Sequence, residues 1–143
     1  MAERHRGVLS LVEHGWRGAR ECSLQLSQHH IPVTHLVKGH LSREVLAMIR
    51  PDPNIRIIGI PRVLFRMWLW RFVGPGTMRG RIGWLLIDHQ RTLSDVTWWC
   101  RRFRITPVLI RELPHGFELS VDGNTVSMAD VFGQTTNLPS QSS

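Results

Sequence analysis

One lysine, Lys38, stands among the 18 basic residues of this 143-residue chain, and every other basic side chain is arginine. There are two cysteines, Cys22 and Cys100, each inside a stretch of helical pattern. That number and spacing exclude a disulfide framework and a cysteine-based metal site. They point to buried free thiols, which fit a reducing compartment, and a cytoplasmic location is expected. No apolar run reaches the ~18 residues of a membrane span. The first run, "GVLSLVE", is broken by Glu13 and followed by no small-residue cleavage site, so it does not read as a signal peptide. Neither G-x-G-x-x-G nor G-x-x-x-x-G-K-[ST] occurs, which disfavours a dinucleotide fingerprint or a P-loop. No serine sits in a nucleophile elbow, and no internal repeat is evident.

The composition that remains is that of a globular domain, with 42% apolar and 20% charged residues. Its charge is lopsided, +7, and carried by arginine, whose rigid donor fork suits phosphate and carboxylate. Residues 1–133 read as a single domain, and the polar tail 134–143, "QTTNLPSQSS", reads as disordered. Within the domain, short β-type runs at 7–12, 31–39, 54–61, 82–88 and 106–112 alternate with helical patterns. The helix over 19–30 shows Ala19, Cys22, Leu24 and Leu26 on an apolar side. A second, at 41–49, is capped by Ser42, and a third spans "VLFRMWLWRF" at 63–72. The fourth, after strand four, carries a Thr92/Asp95 capping-box pair with Leu93, Val96, Cys100 and Phe103 on one face. After Pro114 the texture changes to a β-hairpin, over about 116–128 and turning at Asp122-Gly123-Asn124, with a short helical piece in "MADVFG".

Strands alternating with helices predict an α/β fold: a Rossmann-like, doubly wound parallel sheet of about five strands in the order 3-2-1-4-5, with the hairpin as an appendix. In such sheets ligands bind beyond the carboxyl ends of the strands, near the reversal of strand order. The residues that follow the strands are therefore the candidate site: His14, Gly15, Arg17 and Gly18, then Lys38, then Arg62, then Asp88, His89 and Arg91. Gly15 and Gly18 allow a tight turn and a close backbone approach, and the helix behind them offers free N–H groups. Asp88 suits a ligand hydroxyl, and the cations suit an anion such as a nucleotide or sugar phosphate. No cofactor is specified. His29, His30, His35 and His40 fall on different elements and do not converge, so no metal site is expected.

The stretch "GWRGARECSLQLSQHHIPVTHLVKG" resembles the start of the amino-terminal half of GT-B type glycosyltransferases. Gly18, Ala19 and Glu21 stand where that family has a G-G-A-E-like turn, and His30 and Val33 where it enters strand two. The resemblance covers residues 7–112. The carboxyl-terminal half, which carries the sugar-nucleotide site in that family, is absent from this sequence. The resemblance therefore implies an acceptor-side half that works with a separate donor-binding chain. A reading of another class is a non-catalytic interaction or regulatory module, with the Trp- and Arg-rich residues 63–73 as its surface for a protein partner or a second copy. That surface also suits peripheral contact with a membrane. Nucleic acid is disfavoured, because the arginines are scattered and no zinc, RRM or helix-turn-helix pattern occurs.

Overall fold

The computed structural model describes residues 6–39, 52–67 and 81–133. Seven strands form one sheet: β1 (Gly7–Val12), β2 (Val33–Lys38), β3 (Ile55–Ile60), β4 (Ile82–Ile87), β5 (Thr106–Glu112), β6 (Phe117–Val121) and β7 (Asn124–Val126). Their order across the sheet is β3-β2-β1-β4-β5-β6-β7. The first five run parallel, and β6 and β7 are antiparallel to their neighbours. The α/β class is as expected. The strand count is not, because the hairpin is no appendix: β6 pairs with β5 from Leu109–Ser120 to Glu112–Phe117 and carries the sheet on by two strands. The physical reason lies in Phe117 and Leu119, which alternate inward and join the same core as Val108 and Ile110 of β5.

Helices cover both faces. α1 (Trp16–Gln28) and the short α3 (Met128–Phe132) pack on one, where Cys22, Leu26, Met128 and Phe132 meet Val8, Val33 and Leu119. α2 (Gln90–Phe103) packs on the other, where Val96 and Cys100 meet Leu9, Leu11, Leu36 and Leu85. The period-2 alternation of a strand assigns neighbours in β1 to opposite layers, so all six of its residues are buried. Cys22 and Cys100 are free and buried, and burial pushes both thiols up to about 12, which keeps them protonated and unreactive.

Element ends follow local chemistry. α1 stops where His30 takes a left-handed conformation (φ 61°) and Pro32 follows. It begins at Trp16, three residues before the expected start, so Gly18 lies in its first turn rather than in the loop. Leu24, assigned to the apolar side, is 40% exposed. α2 is capped not by Thr92 with Asp95 but by His89, whose Nδ1 accepts from the Arg91 N–H at 3.2 Å. The helix begins three residues earlier than a Thr92 cap requires, and the Thr92 hydroxyl instead reaches the Glu13 carboxylate. The hairpin turns on Asp122 (φ 52°) and Gly123 (φ 80°), the two left-handed positions of a two-residue turn that favours such residues. Ser127 caps α3 in a reciprocal pair with Asp130, at 3.1 and 2.9 Å. Hydrogen bonding from the Ser127 backbone N–H, and after it from the Ser127 hydroxyl, holds the Asp130 carboxyl below its ordinary range. The helix at 41–49, most of the Trp-rich segment and the tail lie outside the described residues. What is described of the third helix is a 3-10 turn at Arg62–Leu64 that becomes helical through Met67.

Candidate functional site

The expected site residues follow the carboxyl ends of the parallel strands, and five of them line two clefts there, while Arg17, Gly18, His89 and Arg91 line neither. The larger encloses about 300 Å3 above the reversal of strand order between β1 and β4. His14, Gly15 and Asp88 of the expected set line it, together with Gln90, Arg111 and Glu112. The smaller encloses about 130 Å3 on the α2 side, lined by Lys38 and Arg62 of the expected set and by Glu13, Phe65, Arg66 and Thr92. The β1–α1 loop divides the two, with the side chain of Glu13 in one and His14 and Gly15 in the other.

Asp88 holds the shape of that loop. Its carboxylate accepts from the backbone N–H groups of Glu13 at 3.0 Å, His14 at 2.8 Å and Gly15 at 2.8 Å. Three amides converging on one anion form the kind of nest that elsewhere cradles a phosphate. Here an internal carboxylate fills it. Oδ2 takes bonds from all three residues and Oδ1 shares only the Glu13 N–H, so Oδ1 keeps a lone pair for a ligand hydroxyl.

The amino end of α1 is filled in the same way. Glu112, from the end of β5, accepts the Gly18 N–H through Oε1 at 2.7 Å. Its side chain lies across both glycines of the turn. A Cβ at Gly15 would stand 3.0 Å from Glu112 Cδ, and one at Gly18 would stand 2.8 Å from Glu112 Cγ. The two glycines thus make room for Glu112. Arg17 turns away to the β5–β6 turn, where it donates to the carbonyls of Leu113 and Pro114. The large cleft therefore has an acidic wall, Asp88 and Glu112, with Gln90 beside it and Arg111 already paired to Glu118 at 3.0 Å. His89 leans its ring on His14, with centroids 4.9 Å apart, and presents its other nitrogen as the donor because Nδ1 is an acceptor.

In the small cleft the balance is reversed. Lys38 donates to Glu13 at 3.3 Å and lies 5.7 Å from the centre of the Phe65 ring. Glu13 also accepts from Thr92. Arg62 lies against Gly39, whose left-handed backbone (φ 97°) bends the chain out of β2. Arg66 pairs with Asp95 at 2.7 Å. Three cations thus face one carboxylate within the cleft itself. Arg91 is exposed at the start of α2 and lines neither cleft.

Glu13, Gln90 and Glu112 also line the clefts and are not among the residues expected from sequence, although Glu112 follows strand five on the same edge. Glu13 was visible only as the charge that breaks an apolar run. Glu112 stands in the position of a strand-end residue, and nothing local ties it to a glycine pair 94 residues away.

A third polar constellation is buried beneath α1. His35 is 0% exposed in β2, and neither of its ring nitrogens has a partner. Trp16 packs against it edge-on at 4.9 Å, and its indole N–H is likewise unpartnered. Desolvation pushes His35 down to about 3, so it is neutral at pH 7. Among the described residues no three His, Cys, Asp or Glu side chains are grouped to hold a metal ion, and no helix is long and apolar enough to cross a membrane. No protein-family model, curated protein or solved structure matches the chain.

Proposed function

We propose that this chain is a binding module for a small phosphorylated, hydroxyl-bearing molecule, a nucleotide or a sugar phosphate, taken at the carboxyl edge of its sheet. The observation that carries this reading is the division of the edge into an acidic and a basic cleft on either side of residues 13–15. Carboxylates accept from hydroxyls, so Asp88 Oδ1 and Glu112 suit a ribose or hexose in the larger cleft. Lys38 and Arg62 suit the phosphate in the smaller one, and Arg66 adds positive field. The turn of Gly15 and Gly18 is not the phosphate seat in this reading, since Asp88 and Glu112 take the N–H groups of both glycines.

The resemblance to the amino-terminal half of GT-B transferases supplies a narrower form: an acceptor-side half that meets a separate donor-binding chain. The broader statement is the one to test first. Thermal unfolding against nucleotides, sugar nucleotides, sugar phosphates and inorganic phosphate should single out one class. Ligand at a hundred times its Kd adds about 2.7 kcal/mol to stability. Lys38→Ala and Arg62→Ala should remove the shift. A flat response across the panel, with the protein folded, refutes the reading.

A further inference from the structure

The outward stripe of α2 is basic and aromatic. Arg91, Trp98, Arg101 and Arg102 recur on it at helical spacing and are all exposed. Trp98 is 63% exposed, an unusual position for the largest apolar side chain. It is braced rather than loose: Trp99 packs against it edge-on at 5.4 Å, and Trp99 in turn stacks on Phe103 at 5.3 Å. The one acidic residue of the stripe, Asp95, is neutralised by Arg66 at 2.7 Å. That ion pair joins α2 to the turn after β3, where Val63 is 91% and Met67 55% exposed. A braced, exposed indole on α2 and two exposed apolar side chains on the turn that Arg66 ties to it are thus set among arginines, on a chain of net charge +7.

We propose that this face docks on an anionic lipid surface, with Trp98, Val63 and Met67 entering the headgroup–acyl boundary and Arg91, Arg101 and Arg102 meeting lipid phosphates. The pattern meets the needs of such a surface from both sides. Indole rings favour the level of the headgroups, and cations near the plane gain from the negative surface potential. The aliphatic pair favours lipid over nucleic acid, because Val63 and Met67 have nothing to meet on a sugar–phosphate backbone. The inference does not rest on the small-ligand reading: Trp98, Met67, Arg101 and Arg102 line neither cleft, and of the three inserting side chains only Val63 borders the smaller one.

Co-sedimentation of the full chain with phosphatidylcholine vesicles, with and without phosphatidylglycerol, tests it. Binding is expected to the mixed vesicles and not to phosphatidylcholine alone. Trp98→Ala, and separately Val63→Glu with Met67→Glu, should each weaken it by about tenfold or more, the loss expected when buried apolar area is withdrawn. All three positions are exposed, and an unchanged thermal midpoint will show that the variants fold. Lys38→Ala should bind vesicles as the parent does. Absence of any preference for the anionic vesicles overturns the proposal. So does binding that persists in the Trp98 and Val63/Met67 variants, or equal, variant-insensitive binding to heparin or RNA, because each marks a general polyanion effect.

Discussion

Glu112 and Gly18 are fitted to each other: the carboxylate takes the Gly18 N–H at 2.7 Å, and Glu112 Cγ stands 2.8 Å from where a Gly18 Cβ would be. The contact has two parts that mutation can separate. Gly18→Ala should destabilise by about 1–2 kcal/mol, since overpacking outweighs the gain in helix propensity. In a Glu112→Ala background the clash is gone, and the same Gly18→Ala change should become neutral or stabilising. Urea unfolding of the four proteins measures the coupling. Additive effects would show that Glu112 does not occupy the turn.

Asp88 is the acceptor for three consecutive amides. Asp88→Ala leaves those donors to water where water can reach and unpaired where it cannot. A loss of about 2–3 kcal/mol is expected. Hydrogen exchange should accelerate at Glu13, His14 and Gly15 more than at the middle of β1.

The buried His35 makes stability depend on pH. Its folded value, about 3, lies below the ordinary value of 6.5. Between these two values the unfolded chain binds a proton that the folded chain refuses. Stability is therefore full above about pH 6.5 and falls as pH drops toward 3, by up to about 1.4 kcal/mol per pH unit. His35→Leu should flatten the decline between pH 6.5 and 5, a range above the ordinary carboxylate values. Urea midpoints at pH 7 and pH 5 for both proteins measure it. An equal decline in the variant would assign the effect elsewhere.

Phe132 is fully buried and its ring meets Trp84 of β4 at 5.1 Å. The short α3 is thus tied to the centre of the sheet. Phe132→Ala should cost about 3–5 kcal/mol. Calorimetry should show one transition at a lower temperature, not the loss of a separately melting hairpin.

The parallel part of the fold was legible because each strand announces itself by a run such as "LSLV" or "GWLLID", and the crossovers from β1 to β2 and from β4 to β5 by their helices. The hairpin was legible from Asp122-Gly123, but its docking was not. Whether Phe117 and Leu119 join the main core or a core of their own depends on partners in β5 and α3, which local pattern does not name. The cap of α2 was misread because Thr92 and Asp95 satisfy a local rule, while a contact with Glu13 across 79 residues takes Thr92 away from it. The same holds for the site. Residue type and strand-end position pointed to His14, Lys38, Arg62 and Asp88, which line the two clefts. They could not show that Asp88 and Glu112 take the N–H groups of Gly15 and Gly18, since that outcome is decided by acceptors on distant strands.

The acceptors that close the β1–α1 turn arrive late in the chain. Asp88 lies 73 residues beyond Gly15, and Glu112 lies 94 residues beyond Gly18. A growing polypeptide can form α1 from local bonds as soon as residues 16–28 emerge. It cannot set the turn in front of that helix until β4, and then β5, have been made. The carboxyl edge consequently cannot take its final shape during synthesis before residue 112 has been made, and a ligand that recognises the finished edge has no earlier chain to meet.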